Sequence, residues 1–312
     1  MKAHERIKSV IHRTPLLKSH TLNEMTNLEL FIKPENFQKV GAFKFRGASN
    51  AVASLTPEEA KKGVVTHSSG NHAQAIALAA RMRGIPAYIV MPSNAPLTKR
   101  KAVEGYGGRI TLCAPTVKSR EETCKEIMQL HGANLVAPYD DLRVIAGQGT
   151  TALEILEDVP EVDAIITPVG GGGLLSGVCI AAKAINPKIY VFGAEPAGAD
   201  DAYQSLATGA RVEQNNPQTI CDGLRTSLGH YTWPIIKEHC DGIIRATDEE
   251  VREAMFLLWE RMKIVVEPSG AIAAAVVLNP NFKKTYPHIN KVAIVLSGGN
   301  LDLKDWNWTS KL

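Results

Sequence analysis

The chain has 312 residues, 45% of them apolar and 21% charged, a size and balance that suit a soluble α/β protein of one large or two modest domains. Its 35 basic and 32 acidic side chains leave a formal charge of +3. They form no block of like charge, which speaks against a nucleic-acid or membrane surface.

Met1-Lys2-Ala3-His4-Glu5-Arg6 lacks the apolar core of a signal peptide. Thr56-Pro57-Glu58-Glu59 offers an N-cap, a proline at the first helical position and a capping-box glutamate. Val64 to His67 reads as a strand, followed by a helical run from about Ala73 to Met82 that Gly84 closes. Ala87 to Met91 is a buried strand broken by Pro92, and Gly107-Gly108 precedes another at Arg109 to Leu112. Asp163 to Ile166 and Tyr190 to Gly193 continue the series. Thr247-Asp248-Glu249-Glu250 then starts a helix ending near Met262. The longest apolar stretch, Ala271 to Leu278, is too short to cross a bilayer, and Val292 to Leu296 is the last strong strand. Continuous apolar strands between amphipathic helices predict parallel sheets covered on both faces. No internal repeat is present. Cysteines 113, 124, 179, 221 and 240 form no CxxC pair and suit reduced thiols buried in a cytoplasmic protein.

Three segments carry more glycine and polar content than a core requires. In Gly41-Ala42-Phe43-Lys44-Phe45-Arg46-Gly47 a lysine stands between two phenylalanines at a helix start. An apolar setting lowers an amine's pKa and favours nucleophilic use, although this segment alone reads as a snorkelling lysine on an amphipathic helix. His67-Ser68-Ser69-Gly70-Asn71-His72 lies between a strand and a helix, where free N–H groups suit a carboxylate or phosphate; a plain N-cap is an equal reading. Pro168-Val169-Gly170-Gly171-Gly172-Gly173-Leu174 also follows a strand, and four glycines there let N–H groups approach an anion closely. The spacing is not G-x-G-x-x-G and no Walker lysine follows, so a phosphate smaller than a dinucleotide is expected. Leu296-Ser297-Gly298-Gly299-Asn300 ends the last strand with another polar turn, where α/β sites lie.

Together these segments resemble the fold-type II family of pyridoxal-phosphate enzymes, close to serine racemases and to serine/threonine and threo-3-hydroxyaspartate dehydratases. The likeness runs from His12-Arg13-Thr14-Pro15-Leu16 to Ser297-Gly298-Gly299-Asn300-Leu301-Asp302. It implies pyridoxal 5′-phosphate linked to Lys44, with Phe43, Asn71, Gly170, Gly171, Gly172, Gly173, Leu174 and Ser297 around it. A serine facing the pyridine nitrogen leaves that nitrogen unprotonated, which suits elimination or racemisation better than transamination. Ser68, Ser69, Asn71, His72, Arg120, Asp222 and Thr226 would meet the substrate, Ser69 also as a second acid/base. Thr226 replaces a serine common in animal racemases.

The same resemblance implies a divalent cation, Mg²⁺, Ca²⁺ or Mn²⁺, held by Glu195, Ala199 and Asp201 through oxygen atoms. It further implies ATP between the subunits of a homodimer, partly matched by Lys39, Gln74, Tyr106, Lys263 and Asn300, although His20-Thr21 departs from the family pattern. The expected architecture is α/β, with two open, mostly parallel sheets flanked by helices. A large domain (residues 1–62 and 141–312) would carry a small mobile domain (63–140). The expected activity is interconversion of L- and D-serine with dehydration to pyruvate and ammonia. The rivals are an L-threo-3-hydroxyaspartate ammonia-lyase and a catalytically silent cofactor-binding or sensing protein. The end at residue 312, with no appended regulatory domain, speaks against an allosteric biosynthetic threonine dehydratase.

Overall fold

Apolar runs at the predicted places form strands because continuous Val, Ile and Ala segments are buried on both faces of a sheet. The computed structural model describes residues 1–303. Its strands are β1 (Glu29–Pro34), β2 (Val64–His67), β3 (Ala87–Pro92), β4 (Arg109–Cys113), β5 (Asn134–Leu135), β6 (Ala164–Pro168), β7 (Tyr190–Pro196), β8 (Gly242–Ala246) and β9 (Lys291–Leu296). They build a five-stranded sheet in the order β1-β9-β6-β7-β8 and a four-stranded sheet in the order β4-β3-β2-β5. Every pair among these strands is parallel. In the larger sheet Ile294 of β9 pairs with Ile32 on one side and Ile166 on the other. Parallel pairing brings the carboxyl ends of β6 and β9 to one edge, so the glycine turn and the Ser297 turn emerge together.

Both capping boxes form, at Thr56–Glu59 and Thr247–Glu250. The second helix continues through a π-turn at Leu258–Met262. The apolar helix Pro268–Leu278 is buried almost throughout and joins the core on one face of the larger sheet. A second core draws Phe45, Ala48 and Val52 of helix Lys44–Ala53 together with Ile76, Ile89 and Val144. The lysine-bearing helix is therefore packed against the smaller sheet's side of the molecule, while the turn before it is tied to the larger sheet.

β1, β5 and β8 were not anticipated. β1 contains Lys33, a residue that argues against a buried strand until its partners are seen. Lys33 is fully buried, and its amine donates to Glu154 Oε2 and Thr14 O, each at 2.7 Å. Arg46, also fully buried, forks onto Glu35 (2.7 and 2.8 Å) and Glu154 (both 2.7 Å). Two cations and two anions thus close a neutral cluster beneath the lysine-bearing helix.

Candidate functional site

The approach to Lys44 is shaped by two left-handed residues, Val40 (φ 58°) and Gly41 (φ 70°). Ala42 then runs extended and bridges to Gly298. Phe43 N–H donates to Ser297 O and Gly299 N–H to Gly41 O, both at 3.0 Å. This lacing holds Lys44, the first residue of its helix, beside the turn after β9. Its Nζ donates to Pro138 O at 2.7 Å and lies 5.0 Å from the centre of the Phe43 ring. Burial without a counter-charge lowers its pKa from 10.5 to about 8, so a neutral, nucleophilic amine is accessible near physiological pH.

The Ser68–His72 turn lies close by. Helix Asn71–Arg83 starts at Gly70 with no side-chain cap, leaving its first N–H groups for a ligand. Ser68 Oγ accepts from Gly70 N–H at 3.3 Å, and Ser69 stands half-buried beside it. His72 is buried, with Nε2–H donating to Val136 O at 3.1 Å and Nδ1 left without a partner. Burial first, then the neighbouring Lys44 charge, pushes the imidazole down to about 3, so it is neutral at work. Burial first, then the charge of Arg120 on helix Val117–His131, lowers the His67 imidazole, and Arg120 Nε is itself buried without a partner. Two orphaned polar atoms around one turn fit a site that completes its hydrogen bonds with a bound molecule.

Across from these, the glycine turn admits no side chains. A Cβ on Gly171 would lie 2.3 Å from the Tyr139 ring, and Gly172 adopts φ 88° where Leu228, Thr232 and Ile236 crowd it. Gly173 begins helix Gly173–Ile185, with Leu174 buried behind it. Gly170 backs onto Gly223 and Leu224, so the Asp222 loop flanks the same turn. Gly223 N–H donates to Ser269 Oγ at 3.0 Å, and Ser297 Oγ donates to Ser269 O at 3.3 Å. Ser269 therefore joins the Ser297 turn to the Asp222 loop. Thr226 is exposed and lies near the Tyr139 phenol.

The sequence reading missed Glu267. Its Oε1 accepts from Asn71 Nδ2 at 2.8 Å and its Oε2 from Asn300 N–H at 3.1 Å. Asn300 Nδ2 in turn donates to Asn71 Oδ1 at 2.8 Å and to Val40 O at 2.7 Å. Burial, reinforced by Asp222, raises this carboxyl to about 7. Its one advance signal was an acidic residue directly before Pro268 in an apolar run. Tyr139 was missed as well; nothing in Ala137-Pro138-Tyr139 marks it before the fold brings it over the glycines.

Glu195 and Asp201 form a separate pair. Glu195 is the penultimate residue of β7, and its carboxylate accepts from Ala202 N–H at 2.8 Å and Tyr203 N–H at 2.9 Å. Asp201 Oδ2 accepts from Leu228 N–H at 3.0 Å, whereas Oδ1 is buried with no partner. Burial raises Glu195 to about 9 and Asp201 to about 6, each reinforced by a carboxylate neighbour. Ala199 is buried in the turn between them. Two dry, mutually repelling carboxylates with a free oxygen fit a hard cation, although no group of three His, Cys, Asp or Glu side chains gathers among the described residues.

Asn300 is the one nucleotide candidate that enters the Asn71–Glu267 network directly. Gln74 is buried one turn into the Asn71 helix, Lys39 Nζ lies 5.7 Å from the Phe45 ring centre, and Tyr106 caps helix Leu97–Gly105. Lys263 takes φ 59° after the π-turn, with its amine on Glu260 O. Among the described residues, no hydrogen bond links the side chains of Lys39, Tyr106 and Lys263 to one another.

The likeness to known proteins extends over the same segments. The family model for pyridoxal-phosphate dependent enzymes matches residues 7–298. Serine racemase of Dictyostelium discoideum is 53% identical over 304 residues, 97% of this chain and 94% of that protein. The structure of maize serine racemase superposes with a TM-score of 0.96 at 48% identity, covering 97% of this chain and 93% of the other. The T.th. threonine deaminase follows at a TM-score of 0.90 and 41% identity, covering 97% of each chain. A near-complete family match, two parallel sheets and a half-buried lysine at a glycine-flanked helix start agree: this chain belongs to the pyridoxal-phosphate dependent enzymes, in their fold-type II form.

Proposed function

We propose that this enzyme interconverts L- and D-serine and also dehydrates serine to pyruvate and ammonia. The observation that carries this reading is the Lys44 amine, lowered to about 8 beside a Ser68–His72 turn, where His72 Nδ1 and the nearby Arg120 Nε have no partner and suit a small amino acid. The activity named for the 53%-identical Dictyostelium relative supports serine as substrate. When bound, pyridoxal phosphate withdraws electrons from the substrate's α-carbon and acidifies its proton. Lys44 Nζ would take that proton and Ser69 Oγ would deliver one from the other side. The helix start at Asn71 would hold the substrate carboxylate, and Phe43, Asn71, the four glycines, Leu174 and Ser297 would hold the cofactor. Asp222 and Thr226 would border the substrate's β-substituent.

The segment 63–140 would close over the site as a small domain. Contacts already crossing the cleft support this: Lys44 with Pro138, and Lys99 Nζ with Asp222 Oδ2 at 3.1 Å. Glu195, Ala199 O and Asp201 would bind Mg²⁺, Ca²⁺ or Mn²⁺, and five free thiols suit a cytoplasmic setting. The family resemblance also underlies a homodimer with ATP near Lys39, Gln74, Tyr106, Lys263 and Asn300. A second reading, an L-threo-3-hydroxyaspartate ammonia-lyase, is favoured by one feature. The unpartnered Arg120 Nε could meet a second carboxylate.

Chiral chromatography and keto-acid detection across serine, threonine, aspartate and threo-3-hydroxyaspartate separate these readings. Serine should give both its enantiomer and pyruvate. Turnover confined to hydroxyaspartate would overturn the proposal, and no turnover of any of them would leave a silent binding protein.

A further inference from the structure

The helix that carries Lys44 starts without a side-chain cap, with Phe43 at its N-cap position. Phe43 O accepts from Arg46 N–H at 3.0 Å. Gly47 N–H, which a regular helix would direct to Phe43 O, donates instead to Gln148 Oε1 at 3.0 Å. Gln148 is the last residue of helix Leu142–Gln148 and is fully buried. Its oxygen does from 101 positions away what a local cap does elsewhere. Glycines permit the approach. A Cβ on Gly47 would collide with the Gln148 amide and with Val144, and one on Gly147 would lie 2.6 Å from Arg46 O and from Gly47 Cα. A Cβ on Gly149 would lie 2.7 Å from Gly177 O, in the helix that leaves the glycine turn. Gln148 and its flanking glycines thus lie between the lysine-bearing helix and the helix Gly173–Ile185. One detail explains why the residue is a glutamine. Its Nε2 is buried without a partner, a cost that an apolar side chain of similar length, such as methionine, would not carry. The oxygen is what glutamine adds over methionine.

We propose that Gln148 is a positioning residue for Lys44: by accepting from Gly47 N–H it fixes the first helical turn, and with it the direction in which the amine is presented to the cofactor. The proposal rests on Lys44 as the cofactor lysine and not on serine as the substrate. Lys44 is the first residue of its helix, so no earlier helical turn holds it. Pro138 O, at 2.7 Å from Nζ, steadies the amine end, and Gln148 steadies the backbone end through Gly47, which lies three residues on along the same helix face. One turn further, Asn50 Nδ2 donates to Arg143 O at 2.6 Å and continues the seam. Without the Gln148 oxygen the first turn frays, and the amine reacts only in the fraction of molecules in which that turn is formed.

The test follows capture of pyridoxal 5′-phosphate by the cofactor-stripped enzyme, read by stopped flow as the visible absorbance that appears when lysine binds it. Gln148→Met should slow capture by roughly tenfold, the scale of one lost cap. Gln148→Glu, which keeps an acceptor oxygen at the same reach, should restore most of the rate. Val144→Ala loosens the same packing and leaves the acceptor in place, so it should lower the melting temperature without slowing capture. An unchanged rate in Gln148→Met, or equal slowing in Val144→Ala, overturns the proposal. Should Gln148→Met not fold, Gln148→Asn takes its place; one methylene shorter, it withdraws the oxygen from Gly47 and must slow capture likewise, an unchanged rate again counting against the proposal. Borohydride trapping of the cofactor separates the two claims. Trapping on a peptide without Lys44 would overturn the lysine assignment and this proposal together, whereas trapping at Lys44 with no slowing in the variants overturns the proposal alone.

Discussion

Lys44 must be buried to be reactive, and burial carries a cost that its titration reveals. Below pH 8 the amine is protonated in both the folded and unfolded chains, and the cofactor-free fold bears the full penalty of an ammonium without a counter-ion. Between about 8 and 10.5 the folded state releases its proton first, so the penalty fades as pH rises. Lys44→Met should therefore stabilise the cofactor-stripped protein by about 2–3 kcal/mol at pH 7, a gain that shrinks steadily towards pH 9.5. Urea unfolding of both proteins across that range checks it, and a gain indifferent to pH would remove the burial argument. At this scale the sequence was a fair guide to types of residue and a poor one to partners. Phe43-Lys44-Phe45 announces an apolar amine, yet Pro138 O lies 94 positions away and nothing local names it. Glu267 was hidden for the same reason, because its meaning comes from Asn71 and Asn300, which only the fold brings to it.

Strands and helices were legible wherever their own residues settled the matter. β2, β3, β6, β7 and β9 are apolar runs that could be buried in any neighbourhood, β4 is a largely exposed edge strand, and the two capping boxes satisfy their own N–H groups locally. β1 depends on Lys33 finding Glu154, and β5, at two residues, exists only because β2 lies beside it. The cluster of Lys33, Glu35, Arg46 and Glu154 is thus an element-level device that fastens β1, the lysine-bearing helix and helix Thr150–Asp158 to one another. Arg46→Met leaves two buried carboxylates facing one lysine, and the loss should be about 3–5 kcal/mol at pH 7. The deficit should narrow at pH 5, where an orphaned carboxylate can take up a proton. Urea denaturation at both pH values tests this, and a loss below about 1 kcal/mol would make the cluster incidental. The pair joining β7 to helix Asp201–Thr208 makes the complementary prediction. A cation that binds only the folded state stabilises it by mass action, so chelator should lower both the melting temperature and the rate, and Mg²⁺ should restore them. If chelator moves neither, Glu195 and Asp201 hold no metal.

For the whole molecule, the parallel sheets matter because they deliver turns to one place. β6 and β9 pair directly, which sets the glycine turn beside Ser297; the turn after β2 supplies Ser68 to His72 from the other sheet. Alternating strands and helices predicted such sheets, but the grouping into five and four strands rests on pairings between segments far apart in the chain. The claim that depends on this assembly is the proposed two-sided proton handling, with Lys44 as one group and Ser69, on the turn after β2, as the other. Racemisation needs a donor on each side of the substrate's α-carbon, whereas dehydration of L-serine needs one base and a leaving hydroxyl. Chiral chromatography of the products of L-serine, run beside a pyruvate assay on wild type and Ser69→Ala, tests this most directly. The wild type should form D-serine and pyruvate, and the variant should lose D-serine formation by a factor of about 100 or more, the contribution of one positioned acid, while largely keeping pyruvate. Undiminished D-serine from the variant, or none from the wild type, would contradict the account.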